Sequence, residues 1–159
     1  MAAPKVFLDD IADKPPVIDD GKLVLLEVKE ASVKYGKESG DPYIGIQVQV
    51  VDDPEDEGST MFDNLMLPLE QKEKESDKAY KKRMDRRCFR LKRAVSAFFG
   101  GSVNIIKGLD LVEKANQEAL AEAFLSRRAW TRATIGQDNR NNPRSETSDY
   151  YAEGSKPTE

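Results

Sequence analysis

Tyr43, Gln47 and Gln49 fall on one side of an alternating segment, YIGIQVQVVD at 43–52, and Trp130, Arg132 and Thr134 share one side of another, RRAWTRATIG at 127–136. Such faces could hold single-stranded nucleic acid. Aromatic rings stack on bases without strong sequence preference, while Lys and Arg follow the phosphate backbone. The loop before the first segment adds Lys34, Tyr35 and Lys37, and Arg127 and Arg128 open the second. The competing reading puts Tyr43 and Trp130 in the core, where a lone Trp is usually largely buried.

Catalytic chemistry finds fewer residues. The chain of 159 residues contains no His, which removes the usual general base, the His-activated nucleophiles and the commonest transition-metal ligand. Its one Cys, Cys88, can make neither an internal disulfide nor a zinc site. Lying in an apolar helical stripe, it reads as a buried, inert thiol. The acids of the 52–58 loop (Asp52, Asp53, Glu55, Asp56, Glu57) lack calcium-loop spacing and are interrupted by Pro54, so a solvated hairpin tip is expected. Gly36 and Gly40 make no P-loop, because no Gly-Lys-Ser/Thr follows them. Binding without catalysis, and without a cofactor or metal, is the expectation.

Several elements must position these residues. Residues 1–21, with three Pro and five Asp, read as an N-terminal arm. Residues 22–34 (KLVLLEVKEASVK) suit a strand with Val24, Leu26 and Val28 on one face. In the next strand Ile44, Ile46, Val48 and Val50 form the buried side, and residues 60–67 return as a third strand. Ser76 is a plausible N-cap for a long helix. Its apolar stripe runs Tyr80, Met84, Cys88, Leu91, Val95 and Phe98, and Gly100-Gly101 ends it. A second helix is expected near 111–126, with Val112, Ala119, Ala123 and Phe124 available for burial. A fourth strand covers 127–136, turn chemistry fills 137–144, a fifth strand spans 145–151, and 152–159 is a frayed tail. Phe62, Phe98, Phe99 and Phe124 are core residues by default.

Three strands, a helical insert and two further strands are the element order of an OB-fold, a small five-stranded barrel. The expected fold is therefore mostly β, one domain over 22–151, with a long amphipathic helix and a second helix between strands three and four. A mixed α+β sandwich of the same order is the alternative. With 38% hydrophobic and 34% charged residues the core is thin, and closing the sheet would remove exposed edges. The first residues lack a secretory h-region, and the longest aliphatic run, 23–26, is far short of a membrane span. A soluble, cytoplasmic protein is expected.

The formal charge of −4 argues against nucleic acid only until it is divided. Residues 72–93 hold eleven Lys and Arg against four Asp and Glu, a net of +7, which leaves −11 for the other 137 residues. On a helical wheel Lys82, Arg83, Arg86, Arg90 and Arg93 cluster opposite the apolar stripe. This secondary basic stripe can be a phosphate footprint, a docking face for a protein, or a solvated face paired with acids elsewhere in the fold.

Taken together, the stretches EVKEASVKYGKESGDPYIGIQVQVV (27–51), TMFDNLML (60–67), FRLKRAVSAFFG (89–100) and RAWTRATIGQDNRNNPR (128–144) resemble phage-encoded, OB-fold single-stranded DNA-binding proteins. The resemblance spans about 22–151 and rests on pattern and order, not on an invariant signature. It implies single-stranded DNA binding in replication, recombination or repair, in the host cytoplasm, through a groove formed by Tyr35, Tyr43, Trp130, Arg132 and nearby lysines. Its implied partners are single-stranded DNA and replication or recombination proteins, with self-association left open. One departure stands out: the segment YYAEGSKPTE carries Lys156 and lacks the long acidic tail with an apolar tip through which cellular single-stranded DNA-binding proteins recruit partners. The alternative from another class is a protein-interaction module, such as an inhibitor of a host enzyme, docking through helix 76–99. A metal-dependent nuclease built on the acidic loop is the third and weakest reading.

Overall fold

The computed structural model describes residues 5, 7–11 and 16–158; the rest of the expected N-terminal arm, and residue 159, lie outside the described residues. Burial begins before the first strand, since Ile18 is fully buried and its N–H donates to Ser145 Oγ at 2.8 Å.

Three long strands carry the period-two pattern into a meander. β1 (Leu23–Tyr35), β2 (Pro42–Val50) and β3 (Thr60–Met66) pair antiparallel in sequence order. Val24, Leu26, Val28, Ile44, Ile46, Val48, Val50, Met61 and Leu65 all point to one face and are essentially solvent-free. Burying each such aliphatic side chain stabilises the fold by roughly 1.5–3 kcal/mol. A register shift between Val28 and Glu30 marks a bulge, so the two halves of β1 stay in phase with β2 despite one extra residue.

α1 (Asp77–Phe98) starts where expected, with Ser76 Oγ accepting the Ala79 N–H at 3.1 Å. Only the C-terminal half of its stripe reaches the core, where Leu91, Ala94, Val95, Ala97 and Phe98 are buried. Tyr80, Met84 and Cys88 are half-buried instead. Tyr80 is tied to the segment leaving β3, its hydroxyl donating to Leu69 O at 2.6 Å. α2 (Lys114–Phe124) is shorter than expected. It buries Gln117, Leu120, Ala121 and Phe124, which share one face, and Ala119 lies off that face and is exposed.

The expected fourth and fifth strands each divide in two. β4 (Arg128–Arg132) pairs with β1, and the pairing continues through Ala133, which exchanges backbone hydrogen bonds with Lys22 O and the Gly21 N–H. There β1 has no more chain to offer, since Gly21 turns away at φ +81°. The following residues form a separate hairpin, β5 (Thr134–Gln137) with β6 (Pro143–Glu146). β7 (Tyr150–Ala152) then returns to pair with β4.

Among the described residues the outcome is a mostly β protein with two α-helices and a five-stranded antiparallel sheet in the order β3-β2-β1-β4-β7. The closed barrel expected from the element order does not form, because no backbone ladder joins edge strands β3 and β7. α1 packs against both edges instead. Phe98 sits 4.9 Å from the Tyr150 ring and 5.7 Å from Phe124, ring centre to ring centre.

Candidate nucleic-acid interface

The strand registers place most of the expected binding residues on one surface, the face of the sheet turned away from α1. Lys34 lies opposite Tyr43, Glu30 opposite Gln47, and Glu27 opposite Gln49. On the far side of β2, Tyr43, Gln47 and Gln49 face Met66, Phe62 and Thr60. Glu27 also pairs with Arg128, Leu25 with Trp130 and Leu23 with Arg132, and Trp130 is followed by Tyr151 on β7. Side chains directly opposite across antiparallel strands sit close enough to act together. Lys34, Tyr43, Gln47, Gln49, Arg128, Trp130 and Arg132 thus share one face.

Three expected residues stand apart from it. Tyr35 alternates to the other side of β1 and is half exposed at the loop, where Lys37 is also exposed. Arg127 turns away altogether, its guanidinium stacked 4.7 Å over the Phe99 ring. Arg127 is therefore a packing residue of the α1 end, because it lies outside β4 and does not follow its alternation.

Phe62 is the member that sequence reasoning missed. Expected in the core, it is 72% exposed, while its neighbours Met61 and Leu65 are buried. The signal was present in the period-two pattern, since Met61, Leu65 and Leu67 inward require Phe62, Asn64 and Met66 outward. Asp63 obscured it by placing a carboxylate on the inward side. Phe62 also walls a groove of about 640 Å³ between β3 and β6, with Thr60, Asn64, Arg144 and Glu146.

Gly45 opens a gap in the same face, between Ser32 and Asn64. The Lys34 stem crosses this gap: a Cβ on Gly45 would lie 3.2 Å from Lys34 Cδ and 3.3 Å from Cε. Tyr43 and Gln47 are half-buried and make no side-chain hydrogen bond among the described residues, whereas Gln49 Nε2 donates to Gly58 O at 3.2 Å. Glu27 is engaged by Lys29 and by Arg128 at 3.0 Å, and these hydrogen bonds hold its carboxyl below the usual range. The face carries Lys29, Lys34, Arg128 and Arg132 against Glu27 and Glu30, an excess of positive charge in a chain whose total is −4.

Trp130 lies on this face and not in the core. It is half-buried because residues after β7 cover it: its indole Nε1 donates to Glu153 O at 3.0 Å, and Lys156 Nζ sits 4.6 Å from the ring centre. Residues 153–158 are thus packed on the sheet, in contrast to the frayed tail expected.

Most of the basic stripe on α1 is engaged within the fold. Arg83 makes two 2.8 Å hydrogen bonds to Glu75. Arg90 reaches Asp63 at 2.6 Å, Thr147 Oγ1 at 2.9 Å and Ser148 O at 3.1 Å, and Arg93 bonds Asp149 at 3.0 Å. Arg87, outside the expected stripe, donates to Leu67 O and Pro42 O. Only Lys82 and Arg86 of the five make no hydrogen bond or ion pair among the described residues. The acidic loop is likewise engaged by the start of β1 and the residue before it. Lys22 bridges Asp53 at 2.8 Å and Asp56, and Asp52 accepts the Leu25 N–H at 3.0 Å. Cys88 is half-buried, and burial pushes its thiol up.

Among the described residues no group of three or more His, Cys, Asp or Glu could hold a metal ion, and no helix is long and apolar enough to cross a membrane. No protein-family model matches this chain, and no curated protein matches it by sequence.

Proposed function

We propose that this protein binds single-stranded DNA without catalysis, laying the strand across the outer face of the sheet with bases stacked on Phe62 and Tyr43 and phosphates on Lys34 and Arg132. The observation that carries the reading is Phe62, a ring 72% exposed on edge strand β3, on the same face as Lys34 and Arg132. A large apolar side chain held in water on a regular strand has no packing role there, and stacking on a base supplies one. Gln47, directly across from Phe62, offers an amide to base edges or phosphates.

The strand order supports placing the fold with OB-type barrels opened between β3 and β7, whose strand faces bind nucleic acid. Coating or presenting DNA during phage replication, recombination or repair, in the host cytoplasm, follows from the sequence resemblance. Titration of a fluorescently labelled oligothymidylate at rising salt tests the reading. Affinity should fall linearly in log–log form as counterions are released, and Phe62→Ala should weaken binding about 5- to 150-fold, stacking being worth about 1–3 kcal/mol per base. Absence of single-strand binding at low salt overturns it; preference for an RNA strand of equal length redirects it to RNA.

A second reading has one observation in its favour. Phe89 is 56% exposed on α1, with Arg93 5.7 Å from its ring centre and Arg86 three residues before it. That patch suits an acidic protein partner, and Lys82→Glu with Arg86→Glu would abolish such docking while sparing DNA binding.

A further inference from the structure

Residues 153–158 act on the face in a way that neither the fold nor the binding reading requires. A short 3-10 turn, Glu153–Ser155, follows β7, and the chain then crosses β4. Three contacts fix it. Glu153 O accepts the Trp130 indole N–H, Lys156 lies over the Trp130 ring, and Thr158 O accepts from Arg132 Nη2 at 2.6 Å. Two of them occupy positions a DNA strand would use. A carbonyl oxygen stands on Arg132 where a phosphate oxygen would stand, and a cation covers the ring where a base would stack. Phe62, Gln47 and Tyr43 carry no side-chain hydrogen bond, ring stacking or cation–π contact among the described residues.

We propose that residues 153–158 form a strap that divides the single-strand site into an open half, Tyr43, Gln47 and Phe62, and a covered half, Trp130 and Arg132. A short strand occupies the open half with the strap in place. A longer one extends across β4 only by displacing Lys156 from Trp130 and Thr158 from Arg132. The inference rests on the single-stranded DNA reading above and gives that site a footprint that depends on strand length. The strand supplies a phosphate oxygen to Arg132 in place of the Thr158 carbonyl, and a base to the Trp130 ring in place of the Lys156 ammonium. The closed strap lowers apparent affinity for long strands by the fraction of molecules in which it is open.

Trp130 is the only Trp, so its emission reports the strap directly. The full-length chain and its Pro157→Gly variant, which loosens the strap without changing charge, are compared with Lys156→Gln, which removes the cation from the ring. Without DNA, acrylamide should quench Trp130 more strongly in both variants than in the parent. With DNA, a short oligothymidylate should bind the parent without altering Trp130 emission, and a long one should quench it. Pro157→Gly should tighten the long oligonucleotide about fivefold and leave the short one unchanged. Equal acrylamide quenching in all three proteins overturns the strap as cover. A fivefold gain for both lengths, or for neither, overturns the division of the site. Failure of every protein to bind either length sinks the DNA reading and the divided site with it, while the acrylamide result still decides whether the strap covers Trp130.

Discussion

The Tyr150 hydroxyl donates to Asp63 Oδ2 at 2.6 Å, joining β7 to β3 where no backbone ladder does. Arg90 from α1 reaches the same carboxylate at 2.6 Å, and Thr147 adds a hydroxyl at 3.3 Å. The two sheet edges are therefore held by a side-chain network with a helix wedged between them. A barrel would use a strand pair at this place. The network satisfies its own polar groups, and no buried side-chain polar atom among the described residues lacks a partner.

Removing the shared carboxylate should be costly. Asp63→Ala removes the carboxylate that Arg90 and the buried Tyr150 hydroxyl share, leaving Arg90 only Thr147 and Ser148, for a loss of about 3 kcal/mol, whereas Tyr150→Phe removes only the hydroxyl that contacts Asp63 and Thr147 and should cost about 1–2 kcal/mol. Urea unfolding monitored by circular dichroism reads both as shifts in midpoint. Equal, small shifts would show that the network does not hold the edges together.

Phe62→Ala should leave stability within about 0.5 kcal/mol of the parent, because the ring is in water already. Its effect belongs to binding alone. A large loss of stability would place Phe62 in a packing role and remove the main support for the single-strand reading.

Gly45→Val should lift the Lys34 stem out of the gap it crosses, given the 3.2 Å approach of Lys34 Cδ. If Lys34 neutralises one phosphate, the salt slope of DNA binding should become shallower by about one unit. Lys34→Met should give the same slope, and discordant slopes would separate the gap from the phosphate contact.

Arg90→Ala and Arg86→Ala should differ sharply despite lying four residues apart on one helix face. Arg90 is engaged with Asp63, Thr147 and Ser148, so its loss should cost roughly 3 kcal/mol, as breaking a mostly buried pair does. Arg86 is exposed, and its loss should change stability by no more than about 0.5 kcal/mol. Thermal melts of the two variants check the contrast.

Stability should fall at both ends of the pH scale, for different reasons. Hydrogen bonds from Lys29 and Arg128 hold Glu27 low, the one from Arg83 holds Glu75 low, and the one from Lys22 holds Asp53 low. A depressed carboxyl stabilises the fold above its unfolded value, about 4, and that contribution disappears as pH falls through the lower folded value. At the alkaline end, burial and then Asp63 push Tyr150 up, while hydrogen bonds to Asp53 and then Asp56 raise Lys22. A raised group stabilises the fold fully below its unfolded value, about 10, and the contribution is lost as pH climbs toward the folded one. Urea midpoints should form a plateau between these limits. Tyrosinate absorbance should show Tyr150 ionising only as the fold is lost, and Tyr150→Phe should flatten the alkaline limb.

Much of the fold was legible because the signals were local. Alternation in 43–52 named the inward set Ile44, Ile46, Val48 and Val50, and all four are buried. Ser76 capped its helix as its position suggested. The break after Ala133 was not legible, since the alternation of RRAWTRATIG continues past it. The strand stops because its partner β1 ends at a glycine turn more than a hundred residues away in sequence. The charge pattern was the least transferable part. Arg83, Arg90 and Arg93 formed an apparent cationic stripe until Glu75, Asp63 and Asp149 were brought against them.

The order of residues by itself determined which side chains share a face of a strand, because a pleat alternates every two residues wherever no bulge interrupts it, as one does in β1. That placed Tyr43, Gln47 and Gln49 together, and it set Trp130 with Arg132. Only the tertiary structure decided what meets each face: Asp63 tied to Tyr150 and Arg90, Phe62 left in water, and Trp130 covered by Lys156. Those contacts join residues distant in the chain, and their energy depends on the partner found, which no local pattern encodes.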